Sequence, residues 1–142
     1  MEIRDKTEMV LGGYGEVGIA ISRQLLLYNP KELIVTSLQQ AEALAAVEEL
    51  SREAVGSCKV TPFHGNLFVR WSLKDIPPWE ISASPEYQRR VVDDNLSGLT
   101  HEILTSSTLY KVILEYRPEI IVDCINTATA LAYQNIYHCY KE

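Results

Sequence analysis

The stretch Met9-Val-Leu-Gly-Gly-Tyr-Gly-Glu-Val-Gly-Ile-Ala-Ile21 changes character twice within a few residues. Met9–Leu11 is apolar throughout, as a buried parallel strand is. Glycines at Gly12, Gly13, Gly15 and Gly18 end that run. Beyond them Val17, Ala20, Ile21, Leu25 and Tyr28 recur at helical spacing, which predicts one apolar helix face. Gly13, Gly15 and Gly18 stand in G-x-G-x-x-G order between the predicted strand and the predicted helix, the context that gives this spacing meaning. Gly13 would permit the tight turn, Gly15 would let a pyrophosphate approach the backbone, and Gly18 would let helix and strand pack closely. The helix would offer the phosphates unpaired N–H groups and a positive dipole end. Gly12, Gly13, Tyr14, Gly15, Glu16, Val17 and Gly18 are therefore the candidate dinucleotide loop. The competing reading is a glycine-rich strand–helix turn that holds no ligand.

Working outward, Thr7–Leu11 reads as the first strand and Glu16–Tyr28 as the first helix, stopped by Asn29-Pro30. Glu32–Thr36 reads as the second strand. Gln39–Ala54 reads as the second helix, with Ala43, Val47, Leu50 and Ala54 inward and Glu42, Glu48, Glu49 and Glu53 toward water. Lys59–Phe63 reads as a third strand that Pro62 pushes to a sheet edge. Such alternation predicts a parallel sheet with right-handed crossovers. Residues 65–100 break the pattern with Trp71, Pro77, Pro78, Trp79 and Pro85, and read as an irregular excursion with one short helix at Glu86–Asp93. Thr100–Tyr116 reads as a single helix, Glu119–Ile125 as a fourth strand and Thr127–Tyr140 as a last helix. The expected architecture is an α/β Rossmann-like sheet of spatial order 3-2-1-4 with helices on both faces, over one domain spanning 1–142.

The chain has 142 residues and a net charge of −6. That balance argues against nonspecific nucleic-acid binding, which needs a basic surface. A local phosphate site stays open, because backbone amides supply positive potential. Cys58, Cys124 and Cys139 form no C-x-x-C pair and suggest reduced thiols in a cytoplasmic protein. His64, His101 and His138 are scattered, with no metal-ligand spacing. No apolar run reaches the ~20 residues a membrane span needs.

Three places resemble the N-terminal half of a short-chain dehydrogenase/reductase, of the extended, epimerase-like branch. They are Gly12-Gly-Tyr-Gly-Glu-Val-Gly18, then Gly65-Asn66-Leu67 after the third strand, then Arg117-Pro-Glu-Ile-Ile-Val-Asp-Cys-Ile-Asn126. The glycine loop also resembles the opening of saccharopine-dehydrogenase-like proteins. The resemblance implies an NAD(P)-binding domain of an oxidoreductase. It implies that Asn66 and Leu67 lie near the adenine, and that Asn126 and Thr127 lie by the ribose and nicotinamide. It also implies that this chain is the N-terminal part of a longer one, incomplete relative to the family domain. The family's catalytic residues lie on and after a fifth strand that the sequence does not supply, so the catalytic residues are unknown. Tyr137-His-Cys-Tyr-Lys141 fits Y-x-x-x-K but falls one unit too early.

An NAD-binding domain usually carries a carboxylate about 20 residues past the glycines, at the end of the second strand. Here that place reads Val35-Thr36-Ser37-Leu38-Gln39. Thr36, Ser37 and Gln39 could hydrogen-bond a 2′-phosphate, which favours NADP over NAD. Asp123, inside the fourth strand, reads as a buried, hydrogen-bonded carboxylate or a general base. Two rival functions remain: a non-catalytic dinucleotide-sensing module, and a protein-interaction domain using the sheet edge and Trp71–Trp79. The expected partners are the dinucleotide and a second copy, or the missing C-terminal part docked on the sheet.

Overall fold

The computed structural model describes residues 3–54 and 56–125. Its sheet is four-stranded and all parallel, in the order β3-β2-β1-β4, which is the α/β Rossmann-like arrangement. The strands are β1 Thr7–Leu11, β2 Glu32–Ser37, β3 Lys59–His64 and β4 Ile120–Asp123. Helices α1, Glu16–Leu26, and α2, Gln40–Glu53, make the crossovers between the first three strands. Pro62 does fall on an edge strand, where its missing N–H costs no ladder bond. The chain forms two compact units: residues through Gly65 with Val112–Cys124 make one, and Asn66–Lys111 belong to a second.

In the first unit the strands alternate between two covered faces. Val10, Leu33 and Val35 pack against Ile19, Leu25 and Leu26 of α1 and Ala46 and Leu50 of α2. Full burial of a Leu or Val side chain stabilises by about 1.5–3 kcal/mol, so this cluster is the main source of the unit's stability. On the opposite face Met9 and Ile34 are fully buried. There the ring of Tyr116 meets Phe63 edge-on at 6.4 Å. Tyr116 ends the helix α6, Thr108–Tyr116, whose Val112 is fully buried.

The inward face of α1 differs from the periodicity reading. Gly18, Ile19, Ser22, Leu25 and Leu26 are buried, while Val17 and Tyr28 are more than half exposed. The reason is local. Gly18 must sit against the backbone of Gly12, and that contact sets the helix's rotation about its axis. Tyr28 also lies past the helix end, because Asn29 takes a left-handed conformation.

The second unit is more ordered than an irregular excursion. A 3-10 turn at Trp71–Leu73 is followed by α3 Pro78–Ala83, α4 Pro85–Leu96 and α5 His101–Ser106. The prolines that looked like breakers open α3 and α4, where their lost N–H would have had no partner. Ser84 caps α4 by accepting the Tyr87 amide at 3.4 Å, and Thr100 caps α5 by accepting the Ile103 amide at 3.2 Å. The single helix expected over Thr100–Tyr116 is two, broken at Ser107. Ser107 bridges to Arg70, and the Thr108 amide donates to the Val69 carbonyl at 3.1 Å. No described helix is long and apolar enough to cross a membrane.

Candidate functional site

The glycine loop joins the C-terminal end of β1 to the N-terminus of α1. It is pinned to the neighbouring strand by Thr36. The Gly12 amide donates to Thr36 Oγ1 at 3.2 Å, and the Gly13 amide donates to the Thr36 carbonyl at 2.8 Å. Gly12 has φ +71°, a conformation that favours glycine. The Gly15 amide closes the turn onto the Gly12 carbonyl at 3.2 Å.

The three motif glycines do different work. A Cβ on Gly13 would be driven into Val35 Cγ1. A Cβ on Gly18 would overlap the Gly12 carbonyl and stand 2.7 Å from Gly13 Cα. Both glycines are therefore required by packing alone. Among the described residues, a Cβ on Gly15 would meet only the Gly12 oxygen, at an ordinary 3.5 Å. Nothing inside the described chain requires glycine there. Gly15 is the N-cap of α1, has extended backbone geometry and supplies no side-chain cap. The Ile19 amide is the first to find a helical carbonyl, that of Gly15 at 2.8 Å. The amides of Glu16, Val17 and Gly18 precede it without an intrahelical acceptor. Tyr14, Gly15, Glu16 and Val17 are exposed. The loop thus presents open backbone and a helix N-terminus at the C-terminal edge of the sheet, where α/β sheets bind ligands. These features suit a pyrophosphate.

At the end of β2 the structure corrects the sequence reading. Thr36, expected to face a phosphate, is 1% exposed and serves as the anchor of the loop. Ser37 donates its hydroxyl proton to Glu42 Oε2 at 2.5 Å. Glu42, read as a water-facing helix residue, is half-buried and brings a carboxylate to the strand end after all. The signal was its place in the first turn of α2, within reach of Ser37 across the strand–helix junction. Gly65 closes this corner, donating its amide to the Ser37 carbonyl at 3.0 Å.

Asn66 and Leu67 belong to the second unit. Asn66 Oδ1 accepts the Phe68 amide at 3.0 Å, so this side chain holds a local turn. Leu67 is buried and lines a cavity of about 220 Å³, with Val91, Asp94, Leu99, Ile103 and Leu104. Sequence reading missed the ion pair beside it. Arg70 grips Asp94 with two bonds of 2.6 and 2.7 Å and reaches Glu102 at 2.9 Å. The two tryptophans separate: Trp71 lies under the ammonium groups of Lys74 and Lys111 at 5.2 and 5.5 Å, and Trp79 is exposed. Asp123 is exposed rather than buried, at the last position of β4, where it pairs with Leu11. Asn126, Thr127, Tyr137 and Lys141 lie outside the described residues.

No family model matches the sequence, and no curated protein does. The chain is similar to a structure titled "X-ray structure of Pen from Bacillus thuringiensis", at 15% identity and a TM-score of 0.45. That likeness covers 87% of this chain and 39% of the other, so the chain spans well under two thirds of its length.

Proposed function

We propose that the first unit binds the pyrophosphate of NAD or NADP on the Gly13–Gly18 loop, as part of a cytoplasmic oxidoreductase resembling the short-chain dehydrogenases. Gly15 carries this reading. Its two companions have packing reasons to be glycine, and it has none within the described chain, whereas a bound phosphate would supply one. The cofactor supplies hydride transfer when bound. This chain's residues bind and orient it: the α1 amides meet the phosphates, and Thr36 fixes the loop that presents them.

Titration calorimetry of the chain with NAD, NADP and ADP-ribose tests the reading. Binding is expected for the wild type and loss of binding for Gly15→Val, with the melting temperature nearly unchanged. Unaltered affinity in Gly15→Val sinks the assignment. NADPH oxidation over a panel of carbonyl substrates is expected to show no turnover for this chain alone, since the family's proton donors lie after a fifth strand. Turnover lost in Tyr137→Phe would overturn that expectation.

A further inference from the structure

We propose that Glu42 makes this site select NAD over NADP, by accepting from a ribose hydroxyl and repelling a 2′-phosphate. The inference rests on the dinucleotide reading above. It reverses the preference expected from the residue types at the end of β2, and the reason is where the protons are.

A 2′-phosphate needs hydrogen-bond donors, and a ribose 2′-hydroxyl can use acceptors. The sequence offers three apparent donors at this corner: Thr36, Ser37 and Gln39. Thr36 is buried, and its Oγ1 faces the Gly12 amide. Ser37 has a single hydroxyl proton, as every serine has, and it points at Glu42 Oε2. Toward a ligand, Ser37 therefore presents only lone pairs. Its carbonyl is held by the Gly65 amide and its register partner is His64. Gln39, the N-cap of α2, remains as a neutral donor. The positive end of the α2 dipole, which would otherwise attract a phosphate, already has the Glu42 carboxylate in its first turn. The corner is thus rich in acceptors and carries a negative charge. That suits a hydroxyl, and like-charge juxtaposition excludes a phosphate.

The Ser37–Glu42 bond also steadies the first turn of α2, so a purely structural role must be separated from a selective one. A structural role would weaken NAD and NADP alike. A selective role changes their ratio. Calorimetric titration of the chain with NAD, NADP and ADP-ribose, repeated on Glu42→Gln and Glu42→Ala, makes the distinction, with circular dichroism melts to show that both variants fold. Wild type is expected to bind NAD at least roughly tenfold tighter than NADP. In both variants the gap should narrow to within about threefold, mainly through tighter NADP binding. His64→Gln should leave the ratio as it is in the wild type. NADP binding as tightly as NAD, an unchanged ratio in the Glu42 variants, or a ratio that follows His64 instead would overturn the inference while leaving the dinucleotide reading intact. If even ADP-ribose fails to bind the wild type, the dinucleotide reading falls, and this inference falls with it.

Discussion

Gly13, Gly15 and Gly18 show how one motif mixes residues needed by the fold with a residue needed by a ligand. Gly18→Ala gains helix propensity but pushes a methyl group into the Gly12 carbonyl, which is backbone and cannot rotate away. We expect a net loss of roughly 1–3 kcal/mol for Gly18→Ala. Gly13→Ala should cost a similar amount through Val35. Gly15→Ala should cost under about 1 kcal/mol, the range of N-cap exchanges. Urea unfolding of the three variants checks the order, and a Gly15 variant as damaged as the other two would contradict it. Glu8 is the second residue of consequence. It lies in β1, is 0% exposed, and among the described residues neither carboxylate oxygen has a hydrogen-bond partner. Burial pushes its pKa from 4.5 to about 7. The folded state therefore binds this proton more tightly than the unfolded chain does. Glu8's contribution is intact below pH 4.5 and is lost as pH rises through about 7. We expect Glu8→Leu to gain on the order of 3 kcal/mol over wild type at pH 8, with the gain shrinking toward pH 5. Urea unfolding at pH 5, 6, 7 and 8 measures the difference, and a gain independent of pH would show that Glu8 does not titrate in this range.

At the scale of elements, legibility followed locality. β1 and β2 announce themselves as short apolar runs, β3 is recognisable by its place in the strand–helix alternation although Lys59 and Pro62 interrupt it, and the glycine loop announces itself by spacing. The rotation of α1 was misread because periodicity ranks Val17 and Ala20 with the inward residues, whereas the close approach of Gly18 to Gly12 decides which side faces the sheet. The break between α5 and α6 was invisible because its cause is distant in sequence: Arg70 and Val69 hold Ser107 and Thr108. The Ser37–Glu42 bond crosses an element boundary, which a strand-by-strand reading passes over. Arg70 also anchors α4 through Asp94, and both side chains are mostly buried. Breaking a buried pair leaves a charge without its partner. Asp94→Asn should therefore lower stability by about 2–3 kcal/mol, a buried-pair loss reduced for partial exposure. Glu102 is mostly exposed, and Glu102→Gln should change stability by less than about 0.5 kcal/mol. Thermal melts of both variants test this, and equal losses would mean that Arg70 divides its hold evenly.

At the scale of the whole molecule the sheet order was legible and the edges were not. The two edge strands differ in protection. β3 carries Lys59 and Pro62, a charge and a missing donor of the kind that blunts edge pairing. β4 is Ile120-Ile-Val-Asp123, and among the described residues it pairs only with β1. Ile121 is 42% exposed, and Ile120 and Val122 are only partly covered. A parallel sheet normally has both faces covered, and a bare apolar edge recruits another strand. A second copy fits the need: a two-fold axis normal to the sheet would set two β4 strands antiparallel and bury both edges in one self-complementary contact. We expect the chain to form a dimer, seen by light scattering coupled to size exclusion. Ile121→Lys places a charge at the centre of that contact and should yield a monomer that still binds the nucleotide, because Ile121 pairs with Met9 inside the strand rather than at its loop end. A wild-type chain that stays monomeric up to hundreds of micromolar would refute β4 as the contact. A dimer untouched by Ile121→Lys would place the contact elsewhere.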